Sequence, residues 1–146
     1  MIKDLLQRRF ILLHVTANNW EEAIEKAAQP LLLAHMFTKS YVDDIIRGVR
    51  EVGPYFVLTP HVALAHARPD SGALENAMGL AILEKPVNFG SEANDPVKYV
   101  FTLSATDNNG HIDALAELAE HLSDVKFFDF LSNVQDAREV LNYFDK

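Results

Sequence analysis

The 146-residue sequence contains no cysteine. That excludes disulfides, thiolate metal sites and a cysteine nucleophile, so covalent chemistry falls to histidine, serine, threonine, lysine or a carboxylate. No run of eighteen consecutive apolar residues occurs, so no apolar membrane-spanning segment is expected. Basic residues are few: 13 Lys and Arg stand against 21 Asp and Glu, for a formal charge of −8. A phosphate backbone or an anionic lipid surface would be repelled, so neither nucleic acid nor direct membrane insertion is expected. The opening "MIKDLLQRRFILLH" has two arginines within it and no small-residue cleavage site. It predicts a packed first helix or strand rather than a secretory leader, and hence a cytoplasmic protein. G-x-S-x-G elbows, P-loops and HExxH helices are missing too. By elimination, imidazole is the best nucleophile left.

What is present suits one ordinary core. Apolar residues make up 49% of the chain, and the length fits a single domain, 1–146. "TANNWEEAIEKAAQPLLLAHMF" predicts a helix from about Trp20, capped by Asn18 or Asn19, with Glu21 and Glu22 at its positive end. "TKSYVDDIIRGVREVG" predicts a second, with Thr38 or Ser40 as cap, Tyr41, Ile45, Ile46 and Val49 on one side, and Gly53-Pro54 as the stop. The period then changes. "YFVLTPHVALAH" reads as a strand interrupted at Pro60, residues 76–83 as a second strand turning at 84–86, and residues 97–104 as a third. Ile112, Leu115, Leu118, Ala119 and Leu122 recur at helical intervals, and two shorter helical pieces close the chain. The expected fold is a single α/β domain, a mixed β-sheet flanked by helices.

"LTPHVALAHARPDSG" delivers His61, His66 and Arg68 to the end of a strand, where Pro69 and Gly72 break it. "TDNNGHIDAL" runs from a strand end through a polar loop to a helix starting near Gly110, with His111 in its first turn. Open α/β sheets place their sites at such strand ends. Free N–H groups of Asn108, Asn109 and Gly110 at the helix start would form an anion site, phosphate being the usual anion. A histidine there opposes the helix dipole, which hints at a role beyond helix stability. His14 and His35 read as ordinary surface or packed residues, and His121 as a cation at a helix end on a solvated face. A mixed metal site of His61, His66, Asp70 and His111 is conceivable in composition but lacks a known ligand spacing. The five-residue separation of His61 and His66 predicts opposite faces of the strand if Pro60 leaves the register intact.

Three stretches, "YFVLTPHVALAHARPDSGA", "KPVNFGSEANDPVKYVFTLSATDNNGHIDALAELAEHLSD" and the earlier "WEEAI…YVDDII", together resemble the enzyme IIA component of the bacterial phosphoenolpyruvate-dependent sugar phosphotransferase system. The resemblance is to the mannitol/fructose class (EIIA type-2), within it to the branch serving L-ascorbate and pentitol-like substrates, and covers about Trp20 to Leu131. It implies a phosphotransferase that takes a phosphoryl group from phospho-HPr and passes it to a cysteine of the IIB component, with a membrane IIC permease downstream. His66 matches the phosphorylated histidine, attacking through Nε2 to give a tele-phosphohistidine, and His111 matches the second active-site histidine that stabilises the phosphoryl group. Arg68 is the candidate phosphate contact, ahead of Arg47 and Arg50; no cofactor and no metal are implied. The chain departs from the family at two positions: Ala65 stands where proline usually precedes the histidine, and His61 stands where glycine is common. The other reading is a regulatory EIIA-like module whose phosphorylation state a partner senses. Leu64, Ala65 and Ala67 are the expected apolar part of a docking surface.

Overall fold

A computed structural model describes residues 1–145. Five strands form one sheet in the order β1-β4-β5-β3-β2, with β1 Leu6–Val15, β2 Val57–Thr59, β3 Val62–Ala65, β4 Ala77–Val87 and β5 Val97–Ser104. β1 runs parallel to β4 and β3 parallel to β5, while the β4–β5 and β2–β3 pairs are antiparallel, so the sheet is mixed. The opening segment supplies both alternatives expected of it: a short helix, α1 (Ile2–Leu5), leads directly into the edge strand β1.

The helices divide between the two faces. On one lie α2 (Trp20–Leu33) and α3 (Lys39–Val52), whose stripes Ala23, Ile24, Ala27, Ala28, Leu31 and Tyr41, Val42, Ile45, Ile46, Val49 are buried. These pack on Ala77, Ala81 and Leu83 of β4, Ala63 and Ala65 of β3, and Val100 of β5. On the other lie α4 (Asn108–Leu122), α5 (Val125–Ser132) and α6 (Ala137–Phe144). They cover Met78, Leu80, Ile82, Val62, Leu64, Phe101 and Leu103 with Leu118, Phe127, Leu131, Val140 and Phe144. Alternate strand residues thus feed alternate cores, as a two-sided sheet requires. α2 is capped by Asn19, whose side-chain oxygen accepts from the Glu22 N–H at 2.9 Å. It continues through Pro30 to Leu33.

Three local expectations are corrected. Residues 57–65 are a tight hairpin rather than one interrupted strand, because Pro60 fixes its φ and His61 takes the left-handed conformation, φ +74°. Proline followed by a positive φ is the mark of a type II turn. β4 runs on through residues 84–86 where a turn is expected. Its last pairing with β1 is at Leu83, and Pro86 falls within the irregularity between Ile82 and Val87 of the β4–β5 ladder, the kind of place where a strand accommodates proline. His121 is half-buried rather than solvated, with its ring 5.0–5.7 Å from those of Phe127, Tyr143 and Phe144.

Candidate functional site

β3 and β5 run parallel, with Ala65 paired to Thr102, so their carboxyl ends open at the same edge of the sheet. His66 follows β3 directly, and β5 leads within a few residues into α4, which carries His111. Val62 and Leu64 face the core beneath α4; His66 takes the next alternate position and meets His111 there, edge to face, with ring centroids 4.9 Å apart. Both rings border a shallow cavity of about 360 Å³ that also includes Tyr55, Ala67, Arg68, Pro69, Asn108 and Ile112. The strand-end and helix-start residues read from the sequence therefore converge on one place.

The tautomer of His66 follows from a single contact. Its Nδ1 lies 2.7 Å from the Leu64 carbonyl oxygen, which can only accept, so Nδ1 carries the proton and Nε2 keeps its lone pair. Burial pushes the His66 pKa below the ordinary 6.5; the Leu64 hydrogen bond opposes this, and repulsion from His111 adds to it. Burial lowers the His111 pKa as well. Both rings are accordingly neutral at neutral pH. Together they make a nucleophilic nitrogen beside a second imidazole able to donate a hydrogen bond.

Two strand exits are tied together by Tyr41, a residue the sequence marks only as part of an apolar helix stripe. Its buried hydroxyl donates to the Leu103 carbonyl at 2.7 Å and accepts from the Ala67 N–H at 3.2 Å. Burial raises its pKa to about 12, so it remains a neutral donor. Asn76 holds the β5–α4 loop in the same way: its side-chain oxygen accepts from the Thr106 N–H at 2.8 Å and the Thr106 hydroxyl at 3.2 Å. The Tyr55 hydroxyl donates to the His66 carbonyl at 3.3 Å.

The helix start differs from expectation. α4 begins at Asn108, and Asp107 is its N-cap, its carboxylate accepting the Gly110 N–H at 2.7 Å. One of the three expected free donors is therefore taken, by a group of the same sign as phosphate. The D-x-x-G spacing before a helical stripe is the sequence pattern that points to such a cap. Asn108 N–H and Asn109 N–H keep no intrahelical partner.

Arg68 is exposed, borders the same cavity and makes no ion pair among the described residues. Arg47 pairs with Asp44, and Arg50 with Glu21 at 3.3 Å beneath a 5.9 Å contact with the Trp20 ring. His61 lies on the surface in the β2–β3 turn, its Nδ1 donating to the Pro96 carbonyl at 2.7 Å. The strand alternation does not reach it, so it faces neither the core nor the sheet's other side. Its left-handed backbone is the conformation glycine supplies most readily. Among the described residues no three histidine or carboxylate side chains gather as a metal-ligand set, so His66 and His111 meet without His61 and Asp70 completing the four-residue set. Leu64 and Ala65 are fully buried and Ala67 nearly so, which removes them as a docking surface. The apolar groups at the cavity mouth are instead Tyr55, 49% exposed, and Ile112, which leaves the α4 stripe and is 60% exposed.

Fold and site define an α/β domain with a poised imidazole at the carboxyl ends of two parallel strands. The chain belongs to the family described as "Phosphoenolpyruvate-dependent sugar phosphotransferase system, EIIA 2", whose model matches residues 4–146. It is 34% identical over 144 residues to the ascorbate-specific PTS system EIIA component of Salmonella choleraesuis, spanning 98% of this chain and 94% of that protein. Its fold is similar to the solution structure of the mannitol-specific cryptic phosphotransferase enzyme IIA CmtB from Escherichia coli, with a TM-score of 0.87, 32% identity and 97% of both chains covered. The IIA chain in the complex of enzyme IIAMTL with phosphorylated enzyme IIBMTL from Escherichia coli shares the fold at a TM-score of 0.82 and 24% identity, over 94% of each chain. No helix among the described residues is long and apolar enough to cross a membrane.

Proposed function

We propose that this chain is a phosphocarrier of a cytoplasmic sugar phosphotransferase relay, with His66 as the covalent acceptor. The observation that carries the reading is the Nδ1–H···O=C bond from His66 to Leu64, which leaves the Nε2 lone pair as the nucleophile. Nε2 attacks the phosphorus of a phosphohistidine on HPr; the new N–P bond forms as the donor's N–P bond breaks and its electron pair returns to the donor imidazole. In the second step a cysteine thiolate of the IIB component attacks the same phosphorus and the bonding pair returns to Nε2. The protein's part is positioning and charge neutralisation. His111 donates a hydrogen bond to the transferring group, Arg68 adds a mobile positive charge, and the N–H groups of Asn108 and Asn109 lie at the helix start beside them. The cysteine-free sequence suits this relay, since the thiol belongs to the next protein.

The relatives support the partner and substrate classes. An Escherichia coli IIA of the same fold forms a complex with phosphorylated IIB, and a relative identical at 34% is ascorbate-specific. L-ascorbate or a related substrate is therefore the proposed cargo of the downstream IIC permease, which this chain itself does not touch. Incubation with phosphoenolpyruvate, enzyme I and HPr tests the reading. A carrier gains an acid-labile, base-stable phosphate and loses it to IIB; a regulatory module gains it and keeps it. A His66→Gln protein that labels as fully as the parent would overturn His66 as acceptor.

A further inference from the structure

Tyr55 enters neither the nucleophile nor the phosphate contacts, yet three observations converge on it. Its ring meets the His66 imidazole edge-on, with centroids 5.9 Å apart and planes at 80°. Its hydroxyl donates to the carbonyl of His66 itself, at 3.3 Å. The third lies on α3: a Cβ built on Gly48 would stand 3.1 Å from the Tyr55 hydroxyl and 3.2 Å from its Cε1. Glycine in the interior of a helix is unfavourable. Here it opens the shelf on which the tyrosine lies.

We propose that Tyr55, seated on Gly48, is a positioning residue for His66: it clamps the backbone and walls one side of the ring, so that Nε2 faces the cavity. The inference deepens the phosphocarrier reading and rests on it for its kinetic part. Local geometry explains why such a clamp is needed. β3 ends at Ala65, so His66 has left the sheet and its ladder. The bond from its Nδ1 to Leu64 spans only two residues and fixes the tautomer, but it leaves the peptide that carries the ring free to pivot. The Tyr55 hydroxyl holds the His66–Ala67 peptide by its carbonyl, from outside, and Tyr41 holds the same peptide by its N–H, from beneath. With both in place the imidazole has one orientation toward His111.

The test has a readout that needs no phosphoryl donor. In 15N-labelled protein, imidazole correlation spectra report the His66 tautomer and its titration, with His111 and Arg68, the other ionisable groups on the cavity, unchanged. The parent is expected to show a single Nδ1–H tautomer. Tyr55→Ala is expected to give a mixture of tautomers and a titration midpoint moved up toward the ordinary value as water reaches the ring. Gly48→Ala, which touches neither histidine, should shift the spectrum in the same direction while leaving the melting temperature equal or higher, since alanine suits a helix better. Tyr55→Phe keeps the wall and loses the clamp, so its spectrum should shift part of the way from the parent's toward that of Tyr55→Ala. In single-turnover transfer at saturating phospho-HPr, Tyr55→Ala should fall by about tenfold, the scale of one lost hydrogen bond with its packing. A residue serving only as docking surface would change the half-saturating concentration instead. A parent-like imidazole spectrum in Tyr55→Ala overturns the inference whatever the transfer rate; an altered spectrum with an unchanged saturated rate overturns its kinetic part. A parent protein that accepts no phosphate defeats the phosphocarrier reading and leaves the spectroscopic result to stand or fall alone.

Discussion

Tyr41→Phe removes one oxygen atom from the interior and is expected to loosen the site from beneath. The hydroxyl serves two backbone groups 36 residues apart, the Leu103 carbonyl at 2.7 Å and the Ala67 N–H at 3.2 Å. At about 0.5–1.5 kcal/mol for each bond, the loss is about 1–3 kcal/mol, and the Ala67 N–H left buried without a partner favours the upper half of that range. For a chain of this size about 2 kcal/mol corresponds to a fall in melting temperature of roughly 4–8 °C. The ring itself keeps its stacking on Phe37, at 4.8 Å between centroids, so packing is little altered. The pH dependence supplies an internal check. Because the folded-state pKa is raised from 10.0 to about 12, the tyrosine's contribution is fully present below the unfolded value and is lost only as pH rises toward the folded one. The difference in stability between parent and variant should therefore be flat through the neutral range and shrink in strong alkali. Thermal melts followed by circular dichroism measure both quantities. A melting temperature within about 1 °C of the parent would show that the bridge between the strand exits contributes nothing net.

Three further outcomes follow from the site. His111→Ala should slow phosphoryl transfer by ~100- to 1,000-fold without abolishing acceptance of the phosphate, the cost of one preorganised donor to a transferring group; rapid-quench transfer at the parent rate would remove His111 from the mechanism. Ile112→Asp places a charge on the exposed apolar group at the cavity mouth and should raise the half-saturating concentration of phospho-HPr about five- to tenfold at an unchanged saturated rate, whereas unchanged saturation would place docking elsewhere. Because burial lowers the His66 pKa, the unfolded chain binds its proton more readily than the folded one. Its contribution is thus complete above 6.5 and declines as pH falls through the depressed folded value. Denaturant titrations should show the parent losing stability relative to His66→Gln on acidification, and a difference that stays constant or grows would contradict the burial argument.

Periodicity made the element order legible, because the alternation of residues 97–104 and the helical stripe of Leu115, Leu118 and Leu122 are local patterns. Sheet order was not legible. It depends on which strands pair across long separations, and nothing local tells that β1 joins β4 in parallel. Pro60 was ambiguous for the same reason: a proline in an apolar run marks a break, but whether the chain kinks or reverses depends on the left-handed φ that His61 adopts. That His66 and His111 would come to one place was legible, because strand ends and helix starts of such sheets lie at a common edge. Their supports were not. Tyr41 and Leu103 lie 62 residues apart, and a tyrosine at a buried helical position looks the same whether or not its hydroxyl bridges two strands. Leu64 and Ala67 failed as docking residues because an apolar strand next to a site reads alike whether it faces a partner or the core. Ile112 failed the opposite way, satisfying the helical interval while standing in solvent.

Acceptance and release make opposing demands on a relay histidine, and one physical device serves both. A nucleophile must be unprotonated, which burial of the imidazole secures by disfavouring the charged ring. A leaving group must depart easily, and an imidazole of lowered basicity holds phosphorus less firmly, so the same burial that frees Nε2 to attack also helps it to be displaced. The surroundings follow that balance. In the proposed relay His111 and Arg68 supply donors to the phosphoryl group, but the helix start beside them, which would otherwise be a strong anion site, has its Gly110 N–H occupied by the Asp107 carboxylate. A fixed negative charge there limits how deeply the phosphoryl group can settle. Replacing Asp107 with a neutral cap such as serine would keep α4 capped while removing that opposition. A carrier so altered would take phosphate as readily and surrender it more slowly, and this asymmetry between loading and unloading distinguishes a relay site from a mere phosphate-binding one.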